Sequence, residues 1–198
     1  EAHVDALLQE ELRRNRKKLV VLDDDPTGVQ TVHDVSVYTH WTPENLAAGF
    51  QEEENLFYVL TNSRGFTEAE TIKAHREIAE TTDKAAKAAG KEYLFVSRSD
   101  STLRGHFPLE TEMREEYEEN TGLPVDGEIL CPFFKEGGRF TLDNIHYVKY
   151  GEELVPANET EFAKDPTFGY VSETLPEYVE EKTGGKFRKE AVTCISLK

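Results

Sequence analysis

Short apolar runs that end in polar clusters, each followed by a helical or turn-rich stretch, constrain this chain more than any other feature. KKLVVL runs into Asp23, Asp24 and Asp25; NLFYVL into Thr61, Asn62, Ser63 and Arg64; KEYLFV into SRSDSTLRG; and GEILCPFF into KEGGR. Continuous apolar runs of this length read as strands buried on both faces, and strands alternating with helices build a parallel sheet through right-handed crossovers. The expected fold is α/β: doubly wound, with a mostly parallel sheet, helices on both faces, and residues 1–198 in a single domain.

The connecting segments carry helix signals. TPENLAAGFQEEE opens with Thr42 as a cap and Pro43 at the first helical position, and TEAETIKAHREIAETTDKAAKAAG is capped by Thr67 and stopped by Gly90. Val4, Leu7, Leu8 and Leu12 recur at near-helical spacing in the first segment. HFPLETEMREEYEENTG and SETLPEYVEEKTGG also read as helices, DVSVYT and KEAVTCISL as strands, and KEGGRFTLDNIHYVKYGEELVP as a long irregular stretch.

A formal net charge of −16 argues against nonspecific binding to a polyphosphate backbone, so nucleic acid is not an expected partner. No apolar run approaches the ~20 residues that cross a bilayer, and the first segment lacks a signal-peptide core, so a cytoplasmic protein without a membrane partner is expected. Cys131 and Cys194 lie in apolar runs with no second Cys or His at a ligand spacing. Both read as buried free thiols, and no metal site is expected.

In open α/β sheets ligands sit beyond the carboxyl ends of the strands, where the polar clusters here should converge. Asp23, Asp24 and Asp25 crowd three negative charges that need a cation, arginines or substrate hydroxyls to compensate them, unless they form a solvated capping turn. Arg64, Arg104 and Arg139 each follow a strand end, and a guanidinium fork matches a carboxylate or phosphate. Together these groups point to a small substrate bearing a carboxylate and hydroxyls; a structural Arg–Asp network is the plainer alternative. Ser99, Ser101 and Thr102 place hydroxyls around Asp100, and Gly105 allows a turn into a helix whose start attracts anions. Among the histidines, His75 reads as a helix-surface residue, and His106 and His146 as candidate substrate contacts. Neither GxxxxGK[ST] nor GxGxxG occurs, so the chain shows no nucleotide cradle.

Several stretches are familiar as a set. Asp23 to Val29 reads Asp-Asp-Asp-Pro-Thr-Gly-Val; Asp100 to Gly105 reads Asp-Ser-Thr-Leu-Arg-Gly, with Arg98 before it; Ser63-Arg64 closes another strand; Pro132 leads through Arg139 to His-Tyr-Val at Val148; and Glu-Thr-Glu-Phe-Ala-Lys-Asp spans 159–165. From residue 18 onward the chain resembles the N-terminal, sugar-acid-binding domain of the four-carbon acid sugar kinases, also catalogued as a domain of unknown function (DUF1537). The family's usual Ala-Asp-Asp-Leu-Thr-Gly-Ala keeps its Asp pair and Thr-Gly here, while Pro26 and His106 depart from the usual Leu and Asn.

The resemblance implies an ATP-dependent kinase acting on the terminal hydroxyl of threonate, erythronate or a 3-oxo-tetronate. ATP and Mg²⁺ would belong to a C-terminal nucleotide domain that these residues do not include, and this domain alone would bind substrate without phosphorylating it. Asp25 or Asp24 would take the proton of the attacking hydroxyl. Ser63, Arg64, Asp100, Ser101, Arg104 and Arg139 would hold the acid. The expected partner is a small sugar acid, and a homodimer is allowed. Two rivals stand beside this reading. Asp23-x-Asp25-x-Thr27 also matches the first motif of haloacid-dehalogenase-like, Mg²⁺-dependent phosphatases, although no later strand end offers their paired acids. A noncatalytic binding or effector protein is the other.

Overall fold

The computed structural model describes residues 2–111 and 113–196. Its elements run α1 (Ala2–Arg14), β1 (Lys18–Asp23), β2 (Val37–Tyr38), α2 (Pro43–Gln51), β3 (Leu56–Leu60), α3 (Glu68–Ala89), β4 (Tyr93–Arg98), α4 (Arg114–Thr121), β5 (Arg139–Leu142), β6 (Ile145–Tyr150), β7 (Glu153–Pro156) and α5 (Leu175–Lys182), with short 3₁₀ turns between. Four strands form a parallel sheet in the order β2-β3-β1-β4. From β1 the chain moves out to the β2 edge, returns through α2 to β3, and crosses over β1 through α3 to β4. This is the expected doubly wound α/β arrangement. Among the described residues no helix is long and apolar enough to cross a membrane.

Because side chains alternate along a strand, Val20 and Leu22 share a face with Phe57 and Val59. On that face they meet Leu46 and Phe50 of α2, Ile78 and Ala79 of α3 and Tyr117 of α4, forming the main core. The helices start where their local signals place them. Thr42 caps α2 with Pro43 following, and Thr67 and Glu70 close a reciprocal capping box on α3, which ends at Gly90 with φ 62°.

Register fixes what the sheet presents. Asp23 pairs with Leu60 on one side and Arg98 on the other, so β1, β3 and β4 end level. Asp24 and Asp25, Thr61 to Arg64, and Ser99 and Asp100 therefore leave the sheet along one rim. The loop after β1 folds back so closely that a Cβ on Gly28 would stand 1.9 Å from the Asp23 carboxylate, which only glycine permits.

Several expectations are corrected. The stretch read as irregular contains a three-stranded antiparallel sheet, β5-β6-β7. Its first hairpin turns on Asp143 and Asn144, both at positive φ, as a two-residue loop requires. GEILCPFF forms no strand: Pro132 cannot donate to a ladder, and Ile129 and Phe133 stand 91% and 52% exposed. The expected last strand runs into residue 197, outside the described residues, and its described part is a 3₁₀ turn followed by irregular chain. Cys131 and Cys194, lying in these two runs, are exposed rather than buried. His75 is not on the helix surface; it lies on the buried stripe of α3 with Thr71, Ala74 and Ile78, and its Nδ1 meets the Thr71 carbonyl at 2.9 Å. No helix begins at Gly105, since α4 starts at Arg114, so the helix start expected beside Asp100 is absent.

Candidate functional site

Asp24 is the centre of the rim. It is 3% exposed and accepts from Arg64 Nε at 3.0 Å, Arg64 Nη2 at 2.7 Å and Ser99 Oγ at 2.8 Å. Arg64 also reaches Asp25 at 3.4 Å, so one guanidinium bridges two consecutive carboxylates. A bidentate pair of this kind, largely withdrawn from water, is held by geometry as much as by charge. Asp25 is more open. Its Oδ1 accepts from the Thr27 backbone N–H at 2.9 Å, and hydrogen bonding from the Thr27 hydroxyl, aided by Arg64, holds its pKa below the usual value despite partial burial. Asp23 lies beneath the loop at 1% exposure, where burial first, and then the neighbouring Asp24, push its pKa up to about 6.

The second half of the site is the loop after β4. Asp100 Oδ2 accepts from Arg104 Nε at 2.6 Å and from the Thr102 hydroxyl. Arg104 lies over the Phe162 ring at 4.9 Å from its centroid, and Arg139 approaches the same ring at 5.8 Å, so one aromatic ring carries two guanidinium groups. Arg139 arrives as the first residue of β5 rather than after a parallel strand, and its Nε is buried without a hydrogen-bond partner. A donor left in that state is costly unless a ligand takes it. Gly105 is needed for close approach, since a Cβ there would lie 2.2 Å from Ser99 Oγ.

The loop is pinned from below at three successive carbonyls. His146 Nε2 meets Ser101 O at 2.7 Å, Tyr170 Oη donates to Thr102 O at 3.0 Å, and Tyr178 Oη donates to Leu103 O at 3.1 Å. His146 must carry its proton on Nε2 to do so, leaving Nδ1 to accept from the Thr141 hydroxyl at 3.0 Å. Burial lowers its pKa, which favours this neutral form. Leu103 is held at φ 66°, an uncommon conformation for leucine.

The arrangement thus brings Asp24, Asp25, Ser63, Arg64, Asp100 and Arg104 to one rim and adds Arg139 through Phe162. Ser101 enters through its carbonyl. His106 and His146, read as substrate contacts, are occupied by the protein: His106 Nε2 meets Phe66 O at 2.9 Å while its ring stands edge-on to Phe168. Sequence reasoning missed Glu110, which is 3% exposed and accepts from Ser63 Oγ at 2.9 Å, and whose pKa burial and then Asp24 raise to about 7. It also passed over Phe162 and the two tyrosines. Phe162 lay within the Glu-Thr-Glu-Phe-Ala-Lys-Asp signature, so that signal was present.

Among known proteins, a family model described as the sugar-binding N-terminal domain matches residues 19–196. A solved structure from Bordetella bronchiseptica, a domain of unknown function (DUF1537) crystallised with bound citrate as a domain-swapped dimer, is similar with a TM-score of 0.56 and 24% identity. The match covers 81% of this chain and 39% of that one, so these residues correspond to under half of the neighbour's length; at this identity the likeness speaks to fold. No curated protein matches the chain.

Proposed function

Since the chain belongs to the sugar-binding N-terminal domain family, that of the four-carbon acid sugar kinases, we propose that its rim binds a four-carbon sugar acid of the threonate, erythronate or 3-oxo-tetronate type for phosphorylation at the terminal hydroxyl. The observation that carries this reading is the convergence of paired aspartates with Arg64, Arg104 and Arg139 on one rim, within a family named for sugar binding.

The roles divide by what each group has left to offer. Asp24 spends its acceptors on Arg64 and Ser99 and so serves as the platform. Asp25 is the better candidate to take the hydroxyl proton: it is ionised, partly open and held in line by Thr27. Arg104 and Arg139 are the anchors for the substrate carboxylate, the latter with an unfilled donor. Citrate in the structural neighbour, a hydroxylated polycarboxylate, supports an acid site in this fold, and its domain-swapped dimer supports self-association here.

Among the described residues no group of three His, Cys, Asp or Glu is placed to share a metal. In this reading ATP and Mg²⁺ would be supplied by a separate nucleotide-binding domain, and the residues described here bind and orient the acid. The phosphatase reading would make Asp23 the nucleophile, yet Asp23 is 1% exposed beneath Gly28.

Calorimetry with a panel of C4 sugar acids tests the proposal, and heat from at least one of them is expected. Arg104→Ala should weaken that binding about tenfold to a hundredfold, as expected for losing a charged hydrogen-bonded anchor. Silence across the panel, or Mg²⁺-dependent hydrolysis of a generic phosphate ester, would overturn it.

A further inference from the structure

Arg98 stands at the rim without a role in the assignments above. It is the last residue of β4, the edge strand, and pairs with Asp23 at the end of β1. Paired residues of neighbouring strands project to the same face, so its guanidinium lies on the side where the Gly28 loop folds over Asp23. Its one ion pair among the described residues is with Asp23, Nη1 to Oδ1 at 3.9 Å, which is beyond hydrogen-bond reach. Asp23 Oδ1 is itself buried without a hydrogen-bond partner. Burial pushes the pKa of Asp23 up to about 6 against the pull of Arg98, as expected of a pair that has not closed. The guanidinium donors of Arg98 are therefore unfilled by protein.

The other arginines of the rim are committed. Arg64 gives Nε and Nη2 to Asp24 and turns Nη1 toward Asp25. Arg104 and Arg139 share the Phe162 ring and are assigned to the substrate carboxylate. Arg98 keeps 24% of its side chain exposed, so a ligand can reach it. It is also close enough to Asp25 to help lower that pKa, after the Thr27 hydrogen bonds and Arg64.

We propose that Arg98 binds the phosphoryl group of the phosphorylated acid: Asp25 takes the proton of the hydroxyl, the phosphoryl group replaces that proton on the same oxygen, and the free guanidinium beside Asp25 receives it. The assignment rests on the sugar-acid reading and extends it to the other end of the ligand, with Arg104 and Arg139 keeping the carboxylate. A guanidinium fork offers parallel N–H donors that match phosphate oxygens, and Asp23 at 3.9 Å orients the fork by charge without occupying those donors. Removing Arg98 should then weaken a phosphorylated acid more than the parent acid. An Arg98 that only supports the fold through Asp23 predicts equal losses for both.

Calorimetry of the 198-residue chain with threonate, erythronate and their terminal phosphate esters separates the two. In Arg98→Gln the ester should lose about tenfold to a hundredfold more affinity than its parent acid, the range for removing a charged hydrogen-bonded partner. Arg98→Lys keeps the charge beside Asp23 but not the fork, and should recover part of that difference. A second arm needs no sugar acid: inorganic phosphate, titrated at constant ionic strength, should move the Arg98 Nε–H resonance, identified in wild type by its loss in Arg98→Gln or Arg98→Lys.

Equal losses for ester and acid in Arg98→Gln overturn the proposal, and so does phosphate that leaves the Arg98 resonance in place. If Arg98→Gln does not fold, an Arg98→Lys chain that binds the ester as tightly as wild type, relative to the acid, has the same force. Absence of binding by every acid and ester defeats the function proposed above, and the phosphate titration then decides the role of Arg98 by itself.

Discussion

Glu110 and Asp23 are carboxyl groups that the fold keeps away from water, and both carry pKa values raised above their ordinary ones, to about 7 and about 6. A raised value means that the folded protein holds protons that the unfolded chain releases. Stability from these groups is therefore complete below about pH 4 and is lost as pH rises through about 6 and 7. For Glu110 the loss amounts to about 3 kcal/mol. Urea unfolding at a series of pH values should show stability declining from about pH 5 to about pH 8, with a clearly smaller decline in Glu110→Gln and the remainder due to Asp23. At this scale the sequence was informative where charge stood out against an apolar strand: Asp24, Asp25, Arg64 and Asp100 could be read from their positions alone. Glu110 could not, because nothing in a glutamate-rich segment marks which side chain turns inward.

The elements split in the same way. Strand β1, the α2 and α3 caps and the Gly90 stop were legible because each has local chemistry that no tertiary contact overrides. Thr67→Ala removes the side-chain half of the α3 capping box, the acceptor for the Glu70 N–H, and should cost about 1 kcal/mol, read as a lower denaturation midpoint with an unchanged slope. The antiparallel β5-β6-β7 sheet was not legible because its turn uses Asp143 and Asn144 without the glycine that usually marks such a hairpin. GEILCPFF misled in the opposite direction: its composition is that of a strand, but Pro132 interrupts it and β4 remains the edge of the sheet. Apolar composition identifies what could pair and leaves open which strand it would pair with.

For the molecule as a whole, a net charge of −16 means self-repulsion at low ionic strength. Raising NaCl from about 0.02 M to about 0.3 M shortens the screening length severalfold and should raise the melting temperature. The buried Asp24–Arg64 pair is shielded from that salt and should contribute little to the change. Under the proposed function an anionic substrate would approach a chain of net charge −16, so acid association should also quicken with salt until the arginines that hold it are themselves screened.

The loop bearing Asp100 and Arg104 takes its form from His146, Tyr170 and Tyr178, which lie 45, 68 and 75 residues further along the chain from the carbonyls they grip. On a ribosome, the parallel sheet can therefore assemble while this loop still has no fixed form. Under the proposed function, acid recognition becomes available only after synthesis has passed Tyr178, so a nascent chain has its scaffold well before it can hold a ligand.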